Sequence, residues 1–199
     1  MIVAVGAALF AMGVVFWQRD LFYSLPTPRP AGLVQPPLGQ RVALPRELRD
    51  VAPAPGRPLL LDFYNADCPC SRFNRDHVRA LLDRFARDVT FVAVVETAGA
   101  SEDGPVDSGI AMPHVVDRGA AIAKSLGVYS TPQAVLLEGD GRLVYRGNYN
   151  TSRYCTEPRT QFVRIALENV LQRRVAAAEP EAGVAYGCAL PGQECRDDR

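Results

Sequence analysis

An excess of charge of either sign is missing from this chain. Lys+Arg and Asp+Glu each number 22, so the formal net charge is zero. No basic stripe suggests a nucleic-acid partner, and no acidic run suggests a solvated tail. Histidine is scarce, with only His77 and His114, which excludes a His-rich metal site. No internal repeat is visible, so a solenoid or array is excluded. Cysteine is present in an odd number: Cys68, Cys70, Cys155, Cys188 and Cys195. At least one of these thiols therefore stays unpaired or pairs outside the chain. A hydrophobic fraction of 48% argues against disorder, and 199 residues suit one domain with appendages.

Residues 2–17 carry no charge at all. As a helix rising about 1.5 Å per residue they would extend roughly 25 Å, slightly short of a ~30 Å hydrocarbon core. Trp17 and then Arg19-Asp20 close the run, with an aromatic at the expected interface. A basic segment before it and a small-x-small cleavage site after it are both lacking, which argues against a cleaved signal peptide. The expectation is a single-pass transmembrane anchor over residues 1–18. Flanking charge does not set its orientation.

Residues 19–58 read as a linker, with Pro26, Pro28, Pro30, Pro36, Pro37, Pro45, Pro53, Pro55 and Pro58. Proline fixes φ and removes a donor, so an extended spacer is expected, acting as a tether. Leu44, Leu48 and Val51 offer a short amphipathic piece that docks on the domain.

A folded unit over 59–174 follows. Leu59-Leu60-Leu61-Asp62-Phe63-Tyr64 reads as a buried strand. Residues 71–87 read as a helix with Phe73, His77, Leu81 and Phe85 on one face, beside Val78 and Leu82. Residues 89–95 form a second strand, and 97–109 a polar, glycine-rich loop. Val115-Val116 marks a strand edge, and 119–126 a short helix stopped by Gly127. Residues 133–137 and 142–149 are strands joined by a hairpin at Glu138-Gly139-Asp140-Gly141. Residues 158–174 are the last helix, with Pro158 in its first turn. The order β-α-β-(loop)-α-β-β-α demands crossovers and adds an antiparallel edge, so the class is α/β. Residues 175–199 are expected to be a Cys-containing tail, poorly ordered unless a disulfide ties it down.

Three segments carry a resemblance. Leu60-Leu61-Asp62-Phe63-Tyr64-Asn65-Ala66-Asp67-Cys68 resembles the first strand and active-site entry of thioredoxins, with the same spacing from Asp62 to Cys68. Gly127-Val128-Tyr129-Ser130-Thr131-Pro132 resembles the stretch leading into that family's cis-proline. Gly141-Arg142-Leu143-Val144-Tyr145-Arg146-Gly147 resembles its final hairpin. The run Asp67-Cys68-Pro69-Cys70-Ser71-Arg72-Phe73-Asn74 is also similar to a group of membrane-anchored bacterial thioredoxin-like proteins. The resemblance implies a thioredoxin-like fold, a central mixed sheet flanked by helices, over roughly residues 58–174. It implies thiol–disulfide oxidoreductase activity on protein thiols or disulfides, with no cofactor and no nucleic acid. Cysteine usage then places the soluble domain in the periplasm, on a bacterial inner-membrane anchor, where a membrane redox partner is expected.

Two departures bear on the chemistry. One residue separates Cys68 from Cys70 where the family has two, so Ser71 stands at the second cysteine's place. Asp67 replaces the family's tryptophan. A thiolate is the attacking species, and a helix N-terminus favours it, so Cys68 is the candidate nucleophile. A neighbouring Asp67 carboxylate works against this. Cys70 is the candidate resolving thiol. If it pairs with Cys68, the small ring is expected to be strained, reducible and redox-active. If Cys70 bonds elsewhere, Cys68 acts as a monothiol beside Ser71.

By the resemblance, Asp62 is a buried acid that accepts a proton from the resolving thiol, and its pKa should rise on burial. Pro132 is the cis-proline and Thr131 flanks the substrate. Cys188 and Cys195 close a small loop if they form a structural disulfide, with Cys155 pairing to the tail as the rival. Two other functions compete. In a copper-binding assembly protein Cys68, Cys70 and His114 would be the ligands, since thiolate and imidazole suit copper. In the other, a thioredoxin-like module serves protein interaction without catalysis.

Overall fold

A computed structural model describes residues 2–17, 25–51, 56–96, 108–151, 157–174 and 180–190. The chain opens on α1 (Ile2–Phe16), a 15-residue apolar helix. Among the described residues, no helix is long and apolar enough to cross a membrane. A one-turn helix, α2 (Arg46–Arg49), precedes the sheet.

The central sheet is built from β1 (Leu59–Asn65), β2 (Thr90–Glu96), β3 (His114–Asp117), β5 (Gln133–Leu137) and β6 (Leu143–Gly147), in the order β3-β2-β1-β5-β6. β1 runs parallel to β2, and β2 to β3, while β5 lies antiparallel to both β1 and β6. Parallel neighbours need crossovers, supplied by α3 (Pro69–Phe85) between β1 and β2. The short α4 (Ala121–Leu126) and β4 (Ser130–Thr131) lead into β5, and α5 (Phe162–Leu171) follows β6. This is the mixed sheet flanked by helices that the thioredoxin resemblance implies.

Alternation along β1 explains how one continuous apolar run serves two cores. Leu60 faces a cluster with Val78, Leu81 and Phe85 of α3 and with Phe162, Val163 and Leu167 of α5. Leu59, Leu61 and Phe63 face the opposite cluster, with Ile122 and Leu126 of α4. Each such side chain contributes about 1.5–3 kcal/mol by leaving water. Asp62 shares the face of Leu60, which places a carboxylate under α3 and α5.

The expected α3 stripe holds at Val78, Leu81 and Phe85, which are buried, and fails at its start. Phe73 is 48% exposed, while Cys70, Ser71 and Asn74 are the buried residues there.

The proline-rich stretch is also more than a spacer. Gly39 N donates to Leu143 O at 2.7 Å, Val42 N to Gly141 O at 3.0 Å, and Gln35 Nε2 to Gly127 O at 2.7 Å. Leu48 is fully buried in the second cluster, with Leu44 and Val51 packed against it. The extended backbone that proline enforces leaves N–H and C=O groups free to bond along the domain surface.

Candidate active site

Cys68 is the N-cap of α3, with extended backbone angles, and Pro69 occupies the first turn. Proline there loses no hydrogen bond, because the first N–H groups of a helix have no internal partner. The turn into the helix is held by Asn65: Asp67 N donates to its Oδ1 at 2.8 Å, and Cys68 N to its carbonyl at 3.2 Å. Asn65 N in turn donates to the Ser71 hydroxyl at 3.4 Å. Ser71, at the place of the family's second cysteine, is thus a buried support for the turn. Asp67 is exposed, so water screens its charge from Cys68.

Cys68 is 1% exposed and lies against the loop of Thr131 and Pro132. Its sulfur is 3.3 Å from the Thr131 carbonyl oxygen, a contact that a thiol can turn into an S–H···O hydrogen bond. The Thr131–Pro132 peptide bond is cis, as expected. The Thr131 hydroxyl is fully buried and meets no hydrogen-bond partner among the described residues.

The disulfide follows neither of the local pairings that the sequence left open. Cys68 is bonded to Cys188, with 5.9 Å between their Cα atoms and a sequence separation of 120. It is therefore not closed on Cys70, and Cys188 is not closed on Cys195. A sulfur forms one disulfide, and the fold brings position 188 over the helix N-terminus. Cys70 is buried in the first turn of α3, outside this disulfide. Cys155 and Cys195 lie outside the described residues.

The part of the tail that carries Cys188 is ordered by more than the disulfide. A 3-10 turn, Pro180–Gly183, lies against the end of β6, where Asn148 N donates to Ala182 O at 2.9 Å. Ala185 N donates to the Tyr129 hydroxyl at 3.1 Å, and Thr27 N to Ala185 O at 2.8 Å. β7 (Cys188–Ala189) then pairs antiparallel with β4, Thr131 opposite Cys188 and Ser130 opposite Ala189. Ser130 Oγ donates to Cys188 O at 3.1 Å. Sequence reasoning missed Cys188 as the partner of Cys68, and also Thr27, Tyr129 and Gly187. No local motif in the tail signals them, because the contacts join segments far apart in the chain.

Asp62 is buried, and burial raises its pKa from 3.8 to about 6, opposed in part by the hydrogen bond it accepts from the Tyr149 hydroxyl at 2.7 Å. Tyr149 also meets the edge of His77, with ring centroids 5.9 Å apart. Burial, with the Arg164 guanidinium, lowers the His77 pKa to about 4, so this imidazole is neutral at pH 7. A second buried acid, Glu96, closes β2 opposite Asp117 of β3. Burial and the Asp117 carboxylate push it up to about 9. Asp117 itself accepts from Ile122 N and Ala123 N, both at 2.8 Å, and so caps α4.

The copper set is not assembled. His114 is exposed at the start of β3, and the Cys68 sulfur is engaged with Cys188. Among the described residues, no three His, Cys, Asp or Glu side chains converge in a way that could hold a metal ion.

Comparison with known proteins adds the family. A family model described as "Domain of unknown function (DUF6436)" matches residues 40–190. No curated protein sequence matches the chain. An uncharacterized conserved protein from Geobacillus kaustophilus is similar in structure, with a TM-score of 0.63 and 22% identity over 84% of this chain and 97% of that one. The hypothetical protein SMc02350 from Sinorhizobium meliloti 1021 gives a TM-score of 0.62 and 22% identity over 79% and 95% of the two chains. At lower overlap, a protein described as a "Thioredoxin-like Protein in the Oxidized Form" gives a TM-score of 0.49 and 16% identity over 75% and 97% of the two chains, and StoA from Bacillus subtilis gives 0.40 and 20% over 47% and 75%. The family match begins within the proline-rich stretch that packs on the sheet and ends just past Cys188, so it takes in both halves of the disulfide. On that match, the chain belongs to the DUF6436 family, and its mixed sheet with a cis-proline loop is a thioredoxin-like fold.

Proposed function

We propose that this protein is a thiol–disulfide oxidoreductase acting on protein disulfides outside the cytoplasm, with Cys68 as nucleophile and Cys188 as its redox partner. One observation carries the reading: the Cys68 sulfur, at the N-terminus of a 17-residue helix and beside the cis-proline loop, is held in a disulfide with Cys188. The unpaired N–H groups and the dipole there favour a negative sulfur. A dithiol donor delivers two electrons and two protons, opening Cys68–Cys188 to two thiols and leaving as a disulfide. The Cys68 thiolate attacks a substrate disulfide, forming a Cys68–substrate bond and expelling the other substrate sulfur as a thiolate, which takes up a proton. The Cys188 thiolate then attacks the Cys68 sulfur, restoring Cys68–Cys188 and releasing the second substrate thiol. In reverse, the same steps oxidise a substrate dithiol.

The proposal includes a bacterial inner-membrane location, with the soluble domain in the periplasm and a membrane redox partner as dithiol donor or acceptor. Support comes from α1, whose side chains are exposed from residue 4 onward, among them Leu9, Phe10, Met12 and Phe16. An apolar surface of this kind asks to be covered. A disulfide also persists in an oxidising compartment.

The test is reduction of a protein disulfide such as insulin's, driven by a small dithiol. Wild-type protein should accelerate it, and Cys68→Ser should fall to the uncatalysed background. A Cys68→Ser protein as active as wild type, or an inactive wild type, would contradict the reading. The second outcome would instead favour a module for protein interaction.

A further inference from the structure

The segment that carries Cys188 does not extend the main sheet. It forms a separate two-stranded sheet with β4, the two residues before the cis-proline. β4 is short, and its only strand partner among the described residues is the tail. Pairing of this kind uses main-chain groups, which any extended polypeptide can supply, while side-chain fit supplies selectivity. Three positions of the tail show tight fit. A Cβ at Gly187 would collide with the Thr131 carbonyl oxygen and lie 3.2 Å from Ser130 Oγ. Cys188 delivers its sulfur to Cys68. Leu190 is buried in the second core cluster, and its N–H donates to Tyr129 O at 3.4 Å. Ala189, between them, is exposed and free to vary.

We propose that the Ser130–Thr131 edge recognises an extended, cysteine-bearing polypeptide with glycine directly before the cysteine and an aliphatic residue two positions after it, and that residues 185–190 occupy that edge as a tethered stand-in. This rests on the thiol–disulfide reading above, and deepens it by naming the substrate class. When a dithiol opens Cys68–Cys188, the segment loses its covalent hold. The Pro180–Gly183 turn keeps its own bond to Asn148, so the strand can leave the edge while the rest of the tail stays docked. A substrate segment then takes the same backbone pairing and presents its disulfide to Cys68. On resolution, Cys188 returns to the edge that the substrate vacates.

The test uses the full chain with Cys188→Ser and three synthetic peptides whose cysteine is activated as an aryl disulfide. One has the tail sequence Ala-Tyr-Gly-Cys-Ala-Leu, one has its glycine replaced by valine, and one is scrambled. Mass spectrometry follows the adduct at Cys68. The tail peptide should react faster than either control by about tenfold or more, because a side chain forced against backbone weakens the complex. Adding Gly187→Val to the Cys188→Ser chain should stop the tail from reseating and speed the tail peptide further, since a tethered competitor acts at high effective concentration. Equal rates for the three peptides, with Cys68 still labelled by a small aryl disulfide, would overturn the recognition site alone. No acceleration from Gly187→Val would overturn the role of the tail as stand-in. No labelling of Cys68 even by the small reagent would overturn the thiol–disulfide reading itself.

Discussion

Replacing Cys188 by serine should turn a multiple-turnover exchange into a single event and should also destabilise the domain. The bond joins residues separated by 120 positions. Opening a loop of that length returns chain entropy to the unfolded state, worth about 3–5 kcal/mol. Urea denaturation of the oxidised proteins would show the loss, and reduced wild type should match the variant. In catalysis, Cys68 of the variant can still attack a substrate disulfide, but the returning thiol is gone. The mixed disulfide should accumulate to one equivalent and persist. Sustained turnover by Cys188→Ser would mean that another thiol resolves the intermediate, with Cys70 the nearest in sequence.

Asp62→Asn should make the protein more stable at neutral pH and slower in exchange. The Asp62 carboxyl is held near a pKa of 6 in the fold, against 3.8 for the unfolded group. The fold therefore favours its protonated form. Its stabilising contribution is complete below pH 4 and is lost as pH rises through 6. A shift of about two units corresponds to roughly 3 kcal/mol at most. Asparagine keeps an acceptor for the Tyr149 hydroxyl without the buried charge. The variant should gain about 1–3 kcal/mol at pH 7–8 and little at pH 4.

The exchange rate of wild type should fall as pH drops through 6, when Asp62 becomes unable to accept a proton. The variant should lose that inflection and react more slowly at pH 7, by a factor on the order of 10². An unchanged rate profile between pH 5 and 8 would remove Asp62 from the chemistry. His77 shapes the same window with opposite sign. Its folded pKa of about 4 lies below the ordinary 6.5, so its contribution is present above pH 6.5 and is lost as pH falls towards 4. The two groups offset each other in wild type between pH 4 and 6.5. Asp62→Asn should expose the acid loss that His77 causes.

Strands with a strong local pattern were legible from the sequence. The run at 59–64, the strand at 133–137 and the turn at 138–141 stand in the structure where the apolar runs and glycines put them. The cis bond before Pro132 and the buried Asp62 were legible through the resemblance of their segments. The disulfide was not. Cys68 and Cys70 are close neighbours in sequence, and Cys188 and Cys195 make another close pair, so spacing favoured local bonds. The fold joins Cys68 to Cys188 because Tyr129, Thr27 and the β4 edge hold the tail, and such long-range contacts leave no periodic trace. Phe73 misled for a related reason. An aromatic at a plausible helical position suggested burial, while Ser71 and Asn74 were the residues turned inward. The proline-rich stretch showed its extended conformation in its composition, but the hydrogen bonds to Gly127, Gly141 and Leu143 depend on a surface that only the folded domain provides.

The most direct test of the account is disulfide mapping of the protein isolated under acid quench, with free thiols alkylated before digestion. A peptide containing Cys68 joined to a peptide containing Cys188 is the predicted species, and it should vanish when the protein is reduced by a dithiol and return on turnover with a protein disulfide. A Cys68–Cys70 or Cys188–Cys195 bond as the principal species would contradict it.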